Sequence, residues 1–159
     1  MTCPSELADR LVIRKLQSFH PRALQAASEF RGQLIGVVSP ALIRDICDFL
    51  RSDPELRFDF LVDLTAVDRY PVEPRFEIVY LLRSMKTGQR LCLKAPLTGK
   101  DPRIDSLVPL WPAADMLERE VFDLFGVHFT GHPGLRRIQM PDDWQGHPLR
   151  KDYPLEGDR

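Results

Sequence analysis

Glu118, Glu120 and Asp123 lie within one six-residue stretch, and His132 follows nine positions later. Carboxylates gathered with an imidazole can move protons or hold a divalent ion that activates water. The set therefore admits a free-standing metal-dependent hydrolase. It also admits a plainer reading. Residues 117–125 have helical periodicity, on which Arg119 and Asp123 stand four apart and can pair along one solvated face. His128 and His132 would be spaced as metal ligands on a helix, but Gly131 and Pro133 argue against a helix there. The chain has no Ser/His/Asp set, phosphate-cradling glycine loop or nucleotide fingerprint.

A second group comprises Arg136, Arg137, Trp144, Arg150, Lys151, Asp152 and Tyr153. Trp, Tyr and Arg combine contact area with directional bonds and dominate interface hot spots. Residues 131–159 hold four Gly and four Pro in 29 positions, which argues against regular structure, yet Ile138, Met140, Leu149 and Leu155 recur among them. A catalytic centre has little use for so many Arg and aromatic groups on irregular backbone, whereas a partner surface does. The competing reading is a frayed, solvated terminus. Both groups are therefore assigned to partner binding: Glu118, Arg119, Glu120, Asp123 and His132 with the seven above. No residue is assigned to catalysis, a cofactor or a metal. A short echo, Gly131-His132-Pro133 before Arg136-Arg137 and Gly146-His147-Pro148 before Arg150-Lys151, suggests two similar turns that each present a basic pair.

The elements that must position these groups follow from periodicity. Ser5 can cap a helix carrying Ala8, Leu11, Val12, Leu16 and Phe19. Pro21 is expected to open a second short helix through Phe30, and residues 33–38 read as a strand. Ser39-Pro40 starts a helix with Leu42, Ile43, Ile46, Phe49 and Leu50 on one face, and Asp53-Pro54 ends it. The period then changes to two. Leu56, Phe58, Phe60, Val62, Leu64 and Ala66 are expected to form the buried face of a strand. Phe76–Leu82 and Leu91–Ala95 continue as strands of an antiparallel meander. A bridge over 101–111 leads to a last helix from Pro112, which Gly126 closes as a left-handed cap. The expected division is an α+β domain over 1–126 and a docking tail over 127–159.

Composition narrows the classes further. The 159 residues carry 22 basic and 23 acidic side chains, a net charge of −1, so the clustered basic footprint of a nucleic-acid binder is missing. Cys3, Cys47 and Cys92 are isolated. Without a Cys-x-x-Cys pair, this chain alone cannot build a zinc ribbon or an all-cysteine iron–sulfur cluster. Cys47 and Cys92 sit among apolar neighbours as core thiols, which suits a reducing compartment. No apolar run approaches the roughly 20 residues of a membrane-spanning helix. The N-terminus lacks the layout of a signal peptide. The expected protein is soluble, or peripheral to a membrane through other subunits.

At Glu118-Arg119-Glu120, Asp123-Leu124-Phe125-Gly126, Gly131-His132-Pro133, Leu135-Arg136-Arg137-Ile138, Pro141-Asp142-Asp143-Trp144 and Gly146–Pro154 the chain resembles the 30-kilodalton C subunit of bacterial respiratory complex I, NADH:quinone oxidoreductase. Residues 61–68 and 76–82 share the likeness. Gln139 and Gly134 depart from the family's pattern. The resemblance implies a two-layer α+β domain with a mixed, largely antiparallel sheet, followed by an extended tail. It implies a subunit of the peripheral arm, on the cytoplasmic side of the cell inner membrane, packed beside the D (49-kilodalton-type) subunit. FMN and iron–sulfur clusters, and the sites for NADH and quinone, would then belong to partner subunits of this proton-translocating enzyme. An equivalent subunit of a membrane-bound hydrogenase or F420H2 dehydrogenase is the alternative.

Overall fold

Alternating apolar residues drive the two central strands together. In β4 (Phe76–Arg83), Phe76, Ile78, Tyr80 and Leu82 are buried. In β5 (Arg90–Leu97), Leu91, Leu93, Ala95 and Leu97 are buried opposite them. The computed structural model describes Leu7 and residues 10–154. Ser5, Ala8, Cys3 and Leu155 fall outside the described residues.

With β1 (Leu24–Phe30), β2 (Gln33–Val38) and β3 (Phe60–Asp68) the two strands build one mixed sheet in the order β1-β2-β5-β4-β3. The β3-β4-β5 meander is antiparallel as expected, and β2 joins β5 in parallel. Helix α1 (Leu11–Phe19), a 3-10 turn over Pro40–Leu42, α2 (Ile43–Ser52) and α3 (Ala114–Phe125) supply the second layer. Val12, Leu16, Ile43, Ile46, Leu50 and Val121 pack with the inner sheet face into one core. Each large side chain so buried contributes about 1.5–3 kcal/mol. Cys47 and Cys92 are buried thiols. A separate parallel pair, β6 (Arg103–Asp105) with β7 (His128–Thr130), brackets α3.

Three expectations are corrected. Residues 24–30 form β1, not a helix. Ala26 and Ala27 suit a helix locally, but Arg31 and Gly32, at φ 51° and 78°, make a two-residue hairpin turn that lays the segment on β2. The helix after Ser39 begins with the 3-10 turn, and the Ser39 hydroxyl makes no capping bond. In β3 the buried face changes parity. A bulge between Leu61 and Asp63 turns Leu61 inward and leaves Phe60 and Val62 49% and 48% exposed.

Candidate docking site

Helix α3 is the post on which the C-terminal ribbon is wound. Its last carbonyls lack intrahelical donors, and the helix dipole makes that end negative. The ribbon supplies cationic and backbone donors to them in order. Asp123 O accepts from Arg137 Nη1 at 3.2 Å and from His147 Nδ1 at 2.9 Å. Leu124 O accepts from Leu149 N at 3.0 Å. Phe125 O accepts from Arg150 Nε at 2.6 Å, and Gly126 O from Arg150 Nη2 at 3.3 Å. Gly126 closes the helix at φ 71°, as the sequence predicts. A Cβ there would meet Arg150 Nη2 and His147 Cδ2 at 2.5 Å, so glycine is required for conformation and for space alike.

Asp123 is fully buried and organises the ribbon's bend. Its Oδ2 accepts from the N–H groups of Ile138, Gln139 and Met140 at 3.0, 2.7 and 2.9 Å, while Oδ1 takes the Arg137 guanidinium. Burial pushes this carboxyl's pKa up, but those four donors outweigh it and hold it below the usual carboxylate range. The expected Arg119–Asp123 pair is absent. Arg119 turns instead to the carbonyls of Arg136 and Arg137, at 3.3 and 3.5 Å.

The two echoed turns dock on the two ends of the same helix. His132 Nε2 lies 3.2 Å from the Asp115 carbonyl in the first turn of α3, with its Nδ1 accepting from Gly134 N at 3.0 Å. His147 grips the last turn. A carbonyl only accepts, so Nδ1 of His147 and Nε2 of His132 carry the protons.

Glu118 faces the other way, into the domain. It is 0% exposed, with Oε2 accepting from Ser106 Oγ and Oε1 from Leu107 N, both at 2.6 Å. Burial pushes its pKa up to about 7; the Ser106 and Leu107 bonds oppose the shift and nearby Asp115 adds to it. Glu120 is exposed. Glu118, Glu120, Asp123 and His132 thus face different surroundings and form no common site for acid–base chemistry or a metal. Among the described residues no group of three or more His, Cys, Asp or Glu could hold an ion.

The ribbon's far end is tied to the β3–β4 hairpin by residues to which the sequence pattern assigns no such role. Arg75 donates through Nε and Nη2 to Asp68, at 2.9 and 2.8 Å, and through Nη1 and Nη2 to Asp152, at 2.9 and 2.6 Å. Lys151 N donates to Asp68 Oδ2 at 2.8 Å. Burial raises the Asp68 carboxyl, but Arg75 and the N–H groups of Lys151 and Tyr70 bring it down to about 2. The guanidinium groups of Arg75 and Arg150 lie 5.0 and 5.2 Å from the centre of the Phe76 ring, a double cation–π contact. Only the opposite charges near the Tyr70-Pro71 turn could have signalled this anchor. Tyr153 packs against Gly146, whose φ is 79°, and its hydroxyl donates to Gln145 O at 3.4 Å.

Seven of the twelve assigned residues therefore have internal partners for their charged or imidazole groups: Glu118, Arg119, Asp123, His132, Arg137, Arg150 and Asp152. Glu118 and Asp123 are wholly inside, not on the surface where partner binding was expected of them; burial demanded donors, and this chain supplies them. Arg136, Trp144, Leu149 and Lys151 of the ribbon are exposed, as are Met116 and Glu120 of α3.

Residues 37–159 match the family described as "Respiratory-chain NADH dehydrogenase, 30 Kd subunit". The C subunit of the NADH-quinone oxidoreductase of Roseiflexus castenholzii is 54% identical over 144 residues, covering 91% of this chain and 83% of that protein. A solved trypsin-resistant fragment, 1–134, of Nqo5 is 30% identical with a TM-score of 0.66, covering 77% of this chain and 97% of that one. A chain of the membrane-bound sulfane sulfur reductase, an archaeal respiratory membrane complex, is 28% identical with a TM-score of 0.72, covering 91% and 84%.

Proposed function

The chain belongs to the family of the 30-kilodalton subunit of respiratory-chain NADH dehydrogenase, and from that membership we propose that it works as a non-catalytic subunit that fixes its neighbours in the peripheral arm. In type it is the C subunit of NADH-quinone oxidoreductase; the finer role rests on the site. The carrying observation is the wound ribbon, whose anchoring groups are consumed internally while its Arg136, Trp144, Leu149 and Lys151, and Met116 of α3, remain exposed. Aromatic, apolar and Arg groups together on an ordered scaffold suit a protein partner. The D (49-kilodalton-type) subunit is that partner in this reading, with FMN, the iron–sulfur clusters, NADH and quinone held elsewhere in the complex. The arm would lie on the cytoplasmic side of the inner membrane. Among the described residues no helix is long and apolar enough to cross a membrane.

The test is recovery of the D subunit with the tagged chain. Trp144→Ala with Arg136→Glu should lower recovery about tenfold, as loss of about 1.4 kcal/mol or more would, while the isolated chain melts as before. Full recovery with both changes rejects the role. The likeness to the sulfane sulfur reductase chain supports an equivalent subunit in a related respiratory complex as the second reading. The 54% identity to the C subunit of an NADH-quinone oxidoreductase weighs against it.

A further inference from the structure

The sheet has a second face, and among the described residues no element covers it. Side chains directly opposite on neighbouring strands point to the same side. The register therefore sets one row across all five strands: Phe60 on β3, Arg83 on β4, Arg90 on β5, Gln33 on β2 and Phe30 on β1. At about 4.8 Å per strand, that row is about 19 Å long. Phe30 and Phe60 are 63% and 49% exposed at its two ends.

Behind this row the same face is mixed, with Lys94 between Val79 and Val37 and Asp63 opposite Leu81 among its apolar groups. Leu81, Val79, Ile35 and Val37 are half-buried there, and Val62 is turned outward by the bulge in β3. A shallow hollow of about 300 Å³ opens beside Val62 and Leu81, lined by Gln33, Val62, Leu81, Leu82, Arg83 and Arg90.

Arg83 and Arg90 are direct cross-strand neighbours. Two like charges in that position oppose sheet formation, and among the described residues no carboxylate lies within ion-pair distance of either. Two guanidinium forks at the mouth of an apolar hollow are suited to a carboxylate carried on an apolar segment.

We propose that the outer sheet face is a second docking surface, taking a segment of another subunit that seats an Asp or Glu between Arg83 and Arg90 and apolar side chains on Val62 and Leu81. This rests on the reading of the chain as a subunit of a larger complex. A second copy of this chain fits poorly, since a two-fold contact centred here would set Arg83 and Arg90 against their own images. A lipid surface fits poorly too, because the central apolar groups are half-buried in a flat sheet and do not protrude. The tail's bonds go to α3 and to Asp68 and Arg75, so the two surfaces are separate.

A photo-crosslinking residue is placed at Val62 in the full chain within the assembled complex, and separately at Trp144. The Val62 probe should crosslink to another subunit, within a few residues of an Asp or Glu. Arg83→Glu with Arg90→Glu should cut that crosslink about tenfold while leaving the isolated chain's melting unchanged, because the like-charge pairing is kept with its sign reversed. Four results at Val62, with the Trp144 probe still crosslinking, overturn this surface and spare the subunit reading: a product with this chain itself, with a second copy or with lipid, or no product. A crosslink undiminished by the double reversal overturns the carboxylate. Failure of both probes, with the chain absent from the complex, removes the subunit reading itself.

Discussion

Arg75 and Asp152 are 77 positions apart and are joined by two hydrogen bonds of 2.6 and 2.9 Å. The same guanidinium holds Asp68 on its other side, so one arginine fastens the last described residues of the ribbon to the end of β3. With the bonds at the end of α3, this ties residues 137–152 to the subunit's own α3 and β3.

Asp152 is 43% exposed, so its pairing adds at most about 1 kcal/mol to global stability. Its effect is local. Asp152→Ala should leave the melting transition nearly in place but speed trypsin cleavage after Arg150 and Lys151 about fivefold, as a local opening made easier by about 1 kcal/mol requires. Cleavage at the parent rate would show that the Lys151 N–H bond to Asp68 suffices.

Asp123→Ala removes a buried carboxylate, frees three backbone N–H groups and strips Arg137 of its partner. It should cost about 3 kcal/mol and loosen residues 137–150 together. Hydrogen exchange at Ile138, Gln139 and Met140 measures this; unchanged protection there would refute the bend's dependence on Asp123.

Acid should release the ribbon. Asp68 has a folded pKa of about 2 against an ordinary 3.8. A depressed carboxylate contributes stability present above its unfolded pKa and lost as pH falls through the folded one. The pKa of Asp123 is shifted the same way. Trp144 emission should therefore change between about pH 4 and pH 2, and Asp68→Asn should shrink the change. An acid response equal in both proteins would contradict this.

Glu118 has the opposite sign. Its folded pKa, about 7, is above the ordinary 4.5, so its contribution is fully present below pH 4.5 and falls as pH rises through 7. The loss across that window is about 3 kcal/mol. Glu118→Gln keeps an acceptor for Leu107 N–H and a group that Ser106 Oγ can meet. Denaturant midpoints of this variant should vary less between pH 5 and pH 8 than those of the parent.

Gly126→Ala places a Cβ at φ 71° and within 2.6 Å of both Arg150 and His147. The strain alone costs about 1 kcal/mol, and seating the ribbon's second turn costs more. Both the melting temperature and D-subunit recovery should fall.

Much of this was legible in the sequence because the cause was local. Gly126 stops a helix wherever it follows one, and the alternation of β4 and β5 needs no partner to be seen. β1 was illegible because Ala26 and Ala27 favour a helix in isolation, and only the Arg31-Gly32 turn and the pairing with β2 overrule that preference. The parity of β3 is hidden because a bulge inserts one residue, and period two cannot announce its own interruption. The residues of the ribbon and of α3 stand out by type, but their partners do not. An Asp that binds three N–H groups of an irregular segment leaves no spacing signal, and Arg75 meets Asp152 only after the whole sheet has formed.

The double seating of the two histidine turns, one at each end of α3, bears on how fast the subunit joins its neighbours. A limp tail would have to search its conformers at the moment of encounter, and ordering it would subtract roughly 2–5 kcal/mol from the affinity. Residues 132–152 are already bonded to α3, Asp68 and Arg75 within the subunit. The collision complex therefore meets a rigid edge, and association speed should depend on orientation and charge more than on chain rearrangement.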